Sequence, residues 1–168
     1  MNMQDGFHQV FFTQDADGAT FEANIDASGG VERYTLKPDS TDLYRVSEII
    51  VCIGDTDAAY NKYGDIAALT NGVTLKRETI QGSTIAAVAS LLGGQPIKQL
   101  TDWARYGRVY PINDSTGATR TITVKIKLEY PLILRGDKGD QLSFLLNDNL
   151  TGLTTHTFLA NLEKQGLM

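Results

Sequence analysis

The chain has two histidines, His8 and His156, and one thiol, Cys52; its other candidates for chemistry are carboxylates. A Ser/His/Asp arrangement needs a base within hydrogen-bond reach of its nucleophile, and a metal site needs several N, O or S ligands brought together. The histidines lie at opposite ends of the chain, and no GxSxG, HExxH, P-loop or CxxC pattern accompanies them. Cys52 sits inside the run IIVCI, which reads as a small buried thiol with no internal disulfide partner. Asp15 and Asp17 match the start of a calcium loop. That pattern would run from Thr13 to Asn24, where acidic ligands are required, so a turn at Gly18 is the reading. Asp148, between Asn147 and Asn149, could hold a surface cation or cap a turn, and turn capping is the reading taken. Arg135-Gly136-Asp137 spells a tripeptide known for binding integrins, yet a charged turn before a strand calls for Gly and Asp anyway. These residues point to no catalytic site, no metal and no cofactor.

The elements that would position such residues are strands. From Thr121 to Tyr130 polar and apolar residues alternate without a break, with Ile122, Val124, Ile126, Leu128 and Tyr130 on one side. A period of two marks a strand with one buried and one wet face, and that face needs a second layer. Leu43–Ile53 is a second long strand. Tyr44 and Val46 fall in one register and Ile49, Val51 and Ile53 in the other, which predicts a bulge near Ser47 or coverage on both sides of its second half. Val10–Thr13 and Ala19–Asp26 read as a hairpin, and Asp55–Gly72 as a long excursion of the functional or contact type. Pro131 belongs at a strand end or edge. Ser83–Leu92 has helical spacing at Ile85, Val88, Ala89 and Leu92, a cap at Ser83 and a stop at Gly93-Gly94; alternation of Ile85, Ala87, Ala89 and Leu91 would also fit a strand, and helix is the reading taken. Pro96–Tyr106 is a second short helix with Trp103 turned inward. The expected fold is an all-β, single-domain antiparallel sandwich of about eight strands with one or two short helices between Ser83 and Tyr106.

With 168 residues the chain suits one domain with a single core. Fifteen basic residues against twenty acidic ones give a net charge of −5, and no basic block occurs. Phosphate neutralisation needs clustered Lys and Arg, so nucleic acid is not an expected partner. No apolar run approaches the roughly 18 residues of a membrane span. No basic segment followed by an apolar one opens the chain, so a soluble product made in a cytoplasm is expected, and the sequons at Asn113 and Asn149 are discounted.

From Tyr44 onward the order of features resembles a family of small virion structural proteins in tailed bacteriophages. The residues that carry it are YRVSEIIVCIGD, KYGDIAALTNGVTLK, QPIKQLTDWARYG and the closing LRGDKGDQLSFLLNDNLTGLTTHTFLANL. The resemblance implies a jelly-roll-like sandwich that self-associates, with a trimer favoured, as a cement or decoration protein on the capsid exterior. Its partner would then be the major capsid protein. Tail or collar placement fits the same residues, and a host-glycan-binding module or an enzyme remains open beside it. Residues 1–40 lie outside the resemblance and are read as a hairpin arm that anchors to the capsid, with 41–168 as the sandwich. Aromatics and loop tips supply the candidate contact residues: Phe11, Phe12, Tyr60, Tyr63 and Tyr106.

Overall fold

A computed structural model describes residues 5–15, 18 and 25–168. Asp17 and most of the strand expected over Ala19–Asp26 lie outside the described residues. The first strands are β1 (Gly6–Phe11), β2 (Thr13–Gln14), β3 (Ile25–Asp26), β4 (Glu32–Leu36) and β5 (Asp42–Gly54). After the excursion come β6 (Val73–Gln81) and β7 (Thr84–Ser90), then helix α1 (Leu100–Trp103). The chain closes with β8 (Arg108–Asn113), β9 (Thr119–Arg135), β10 (Asp140–Leu146), β11 (Asn149–Leu150) and β12 (Thr155–Gly166). One sheet has the order β1-β12-β5-β9-β8 and the other β2-β4-β10-β6-β7, with a small β3–β11 pair beside them. Every strand pairing is antiparallel. Each sheet interleaves early and late strands, which is the winding of a jelly-roll-like sandwich.

The alternation of β9 builds the core as its pattern predicts. Ile122, Val124 and Ile126 are buried against the facing sheet, while Lys125 and Lys127 are exposed. The pattern then breaks. Glu48 pairs with Lys127 but Val46 with Leu132, so Leu128–Pro131 stand opposite Ser47 alone. Ser47 is also the unpaired residue against β12, where Asn161 meets Glu48 and Leu162 meets Val46. The predicted bulge is therefore present, and it lets Tyr44, Val46, Ile49, Val51 and Ile53 all reach the core. Pro131, lacking an N–H, sits where the ladder is already interrupted. Tyr130 is carried outward to 77% exposure instead of facing the core.

Two expectations are corrected. Thr84–Ser90 is a strand, not a helix: Gly82 (φ +64°) turns the chain so that β7 pairs with β6 from Gln81↔Thr84 to Lys76↔Ser90. The alanines satisfy either period, and the open edge of β6 decides for the strand. Among the described residues one short α-helix forms, after a single 3-10 turn at Leu92–Gly94; α1 carries Trp103 to complete burial, as predicted, and one turn follows it. The second correction concerns residues 1–40, whose described part is no separate arm. β1 runs along β12, β2 and β4 join the other sheet, and Phe12, Tyr34 and Leu36 are buried in the shared core.

An aromatic kernel joins the sheets. Phe144 of β10 and Phe158 of β12 stack at 4.1 Å with planes 16° apart. Phe12 lies 5.2 Å from Phe144, Tyr34 5.5 Å from Phe158 and Trp103 6.4 Å from Phe144. Phe12 and Phe11 are adjacent but differ in surroundings, since Phe11 points to the outer face. Phe12→Ala is expected to destabilise the fold by about 3–5 kcal/mol through the cavity it leaves, and Phe11→Ala by less than about 0.5 kcal/mol. Urea unfolding of both variants checks this; equal, small losses would show that the N-terminal segment is not part of the core.

Candidate functional site

The buried polar groups nearest to chemistry are Tyr63, in the Asp55–Gly72 excursion, and His156 of β12. The Tyr63 hydroxyl lies 2.6 Å from His156 Nε2, and the rings stack at 5.7 Å. Both side chains are wholly buried. Burial pushes the His156 imidazole down to about 3 and the Tyr63 hydroxyl well above its usual value. Each is neutral at neutral pH and sealed from solvent, so the pair fastens the excursion to β12 and offers no base to a substrate. His156 Nδ1 has no hydrogen-bond partner among the described residues.

Several carboxylates are likewise committed within the protein. Asp148 accepts the backbone N–H groups of Thr70 (2.8 Å), Asn71 (3.1 Å) and Gly72 (2.7 Å), which is the capping role, and ties the end of the excursion to the β10–β11 turn. Asp55 accepts the N–H groups of Thr56 (2.6 Å) and Asp65 (2.7 Å) and closes its start. Asp114 takes Thr116, Arg120 and Ala118, and these hydrogen bonds hold its carboxyl far below the usual range. Glu78 is 2% exposed although it lies on the outer face of its sheet. Burial alone would raise its carboxyl; hydrogen bonds from Arg33, Ser143 and Gln141, with the Arg33 charge, outweigh that and hold it low. Asp140 receives Arg77 (3.0 Å), Thr79 (2.9 Å) and the Arg135 N–H (3.1 Å), while Arg77 also reaches the Ile133 carbonyl of the opposite sheet. Among the described residues, no group of three or more His, Cys, Asp or Glu is placed to hold a metal ion.

Arg135-Gly136-Asp137 folds back on itself. The guanidinium grips the Asp137 carboxylate at 2.8 and 2.9 Å, so the two charges are not presented separately. The glycines are required by close approach: a Cβ on Gly136 would stand 1.7 Å from the Asp39 carbonyl oxygen, and one on Gly139 2.0 Å from that of Ile80. Cys52 is free and half-buried on the outer face of its sheet, 4.0 Å from the Thr123 hydroxyl, rather than in the core.

The five candidate contact residues do not form one patch. Phe12 and Tyr63 are buried and cannot serve as contacts, the first in the interlayer core and the second under the excursion. Phe11 and Tyr60 are exposed, at 45% and 49%. Tyr106 is half-buried against the core at the β8 edge, four strands across its sheet from Phe11 on β1. Tyr60 lies on the excursion, where its carbonyl accepts the Thr101 N–H of α1. Sequence reading missed Phe7, at 87% exposure, which shares the outer face with Phe11 through the period of two. It also missed Tyr130, Ile85 and Val88. Ile85 and Val88 were assigned to a helix, and Tyr130 to the buried side of β9.

Comparison with protein-family models, with curated proteins and with solved structures returned no match. The functional argument therefore rests on the molecule's own surfaces. Among the described residues no helix is long and apolar enough to cross a membrane.

Two outcomes follow from this geometry. The folded-state value of His156 lies near 3 against an ordinary 6.5, so between those limits the unfolded chain binds a proton that the folded one does not. Stability tied to this group is complete above pH 6.5 and falls on acidification by about 1.4 kcal/mol per pH unit. Urea unfolding from pH 7 to pH 4 should show that slope in the wild type in excess of His156→Gln; parallel curves would mean that His156 titrates normally. Asp148→Ala should cost about 1 kcal/mol and speed hydrogen exchange at Thr70–Gly72 without changing exchange in β12. Unchanged exchange at those amides would show that the carboxylate does not hold them.

Proposed function

We propose that this chain is a non-enzymatic virion structural protein of a tailed bacteriophage, a cement or decoration protein that self-associates and binds the capsid exterior. The observation that carries this reading is how the side chains are used. Described carboxylates at the loops are committed to backbone amides and guanidinium groups, and the buried Tyr63–His156 pair is closed to solvent. Beside its exposed charged residues the surface presents large hydrophobic side chains: Phe7, Tyr130, Ile112, Val88 and Ile85. Such a molecule is equipped for contact with protein surfaces rather than for turning over a substrate. The resemblance carried by Tyr44–Asp55 and Leu134–Leu162 supplies the virion setting, with the major capsid protein as partner and a homotrimer as the favoured assembly. A rigid sandwich repeated on a lattice adds weak contacts multivalently. Its net charge of −5 disfavours attraction to packaged DNA. An N-terminal role in capsid anchoring fits the exposed Phe7 and Phe11 on β1 better than a detachable arm.

A second reading places the protein in the tail or collar as a glycan-binding module. It is favoured by an open crevice at the β8 edge lined by Tyr106, Arg108, Tyr110, Lys125 and Glu48. There Lys125 sits 5.6 Å from the centre of the Tyr110 ring. Aromatic side chains with a few placed polar groups are the usual lining of small-ligand sites.

Copy number in purified virions, measured by quantitative mass spectrometry against the major capsid protein, separates the two. A count comparable to the capsid subunits is expected. A count near the handful of a tail or collar ring would overturn the cement reading, and glycan-array binding that Tyr110→Ala abolishes would then establish the alternative.

A further inference from the structure

Arginine is used in one way throughout this protein, with one exception. Arg33, Arg45, Arg77, Arg105, Arg120 and Arg135 each form an ion pair with a carboxylate. Arg108, the first residue of β8, forms none among the described residues, although it stands on a molecule of net charge −5. Its partner across the β8–β9 ladder is Lys125, and Lys127 follows on the same wet face. Like charges directly opposite each other on neighbouring strands destabilise a sheet. Glu48 stands opposite Lys127 in the β5–β9 register, but its carboxylate accepts the Asn161 amide at 2.9 Å. Arg108, Lys125 and Lys127 thus line one open crevice of about 490 Å³ together with a single carboxylate, itself engaged. A concave surface dominated by one sign concentrates the opposite charge, and an anion between the cations relieves their repulsion.

We propose that this crevice binds an acidic saccharide, with a sugar carboxylate held between Arg108 and Lys125 and the sugar ring against Tyr110. A guanidinium offers a planar fork of N–H donors that meets a carboxylate with two parallel hydrogen bonds, which an ammonium cannot do. Tyr106 and Tyr110 add flat apolar faces on which the C–H groups of a sugar ring can pack. Lys125 lies 5.6 Å from the centre of the Tyr110 ring, so charge and ring are presented side by side. The surrounding charge limits the ligand. A local group of cations on an acidic molecule serves a lone carboxylate, whereas the long phosphate run of a nucleic acid would also meet the acidic remainder of the surface. The proposal rests on the glycan-binding reading of this crevice and adds the charge that the ligand must carry.

Titration calorimetry of the full chain with an oligomer of galacturonic acid, and with the neutral galactose oligomer of equal length, tests it. The acidic oligomer should bind, more weakly as salt rises, and the neutral one should bind more weakly by about tenfold or more. Arg108→Gln and Lys125→Gln should each lower the affinity for the acidic oligomer by about tenfold or more. Without ligand, both variants should melt no lower than the wild type, because each removes a like-charge contact; a merely structural role for either side chain would lower the melting temperature. No binding of the acidic oligomer, affinity unchanged in both variants, or tighter binding of an oligothymidylate than of the acidic sugar would each overturn the proposal. Equal binding of the two sugar oligomers would overturn it too, while leaving the glycan-binding reading in place. That broader reading is tested separately by copy number and the glycan array, so the two fail independently.

Discussion

The stack of Phe144 on Phe158 is the contact on which the two sheets depend. No disulfide links them, since Cys52 is the chain's one cysteine. Their union rests on apolar burial, concentrated where β10 meets β12. Both strands are flanked by neighbours on each side, β10 by β4 and β6 and β12 by β1 and β5. The rings that gather on the stack come from every region of the chain: Phe12 and Tyr34 from the first forty residues, Trp103 from α1, His156 from the last strand. Aromatic side chains dominate core energetics by the area each removes from water. The same crowding sets the state of His156, whose ring centre lies 4.6 Å from that of Phe158 and whose burial disfavours the charged imidazolium.

Around that kernel the charges act as register pins rather than as a reserve of stability. Lys164 and Asp42, both nearly buried, meet at 3.1 Å, and Arg77 reaches Asp140 and a carbonyl of the opposite sheet. A buried ion pair gains little net energy over an apolar pair, but one member left alone costs several kcal/mol. Any slip of β6 against β10, or of β12 against β5, would leave such a charge stranded. The bulge at Ser47 works in the same direction, because a strand with a fixed irregularity fits its neighbours in one alignment.

How much of this could be read from the sequence depended on how local the deciding interaction was. The alternation in β9 and the change of face at Ser47 are properties of a few consecutive residues, and both appear in the folded chain. Trp103 turned inward for the same reason. Thr84–Ser90 could not be read that way, since Ala86, Ala87 and Ala89 fit a period of two or of 3.6 and only the edge of β6 chooses between them. Phe11 and Phe12 are alike in sequence; one is buried because the chain crosses from one sheet to the other between β1 and β2. Tyr63 is buried by His156, ninety-three positions away, and no local pattern encodes that. The excursion itself was legible as a long irregular segment. Its clamps at Asp55 and Asp148 were legible only as turn formers, because the amides they hold become neighbours only in the folded chain.

The edges of the two sheets are protected by different devices. Where β9 runs past the end of β8, the bulge at Leu128–Pro131 interrupts the ladder, and Pro131 removes a donor. β8 is guarded by charge and proline, and the second sheet begins with a strand of two residues, too short to recruit a partner. β7, a seven-residue edge of Ala, Val, Ile, Ser and Thr, has no charge or proline but is interrupted by a bulge at Ala86, between the Ile80↔Ile85 and Thr79↔Ala87 pairs. A bulge twists an edge away from flat pairing, one of the devices by which native sheets avoid edge-to-edge association. β1, the remaining edge, is six residues long and carries neither Lys, Arg, Asp, Glu nor Pro, so the sandwich protects its described edges unevenly, and protection follows what each strand's neighbours and turns allow.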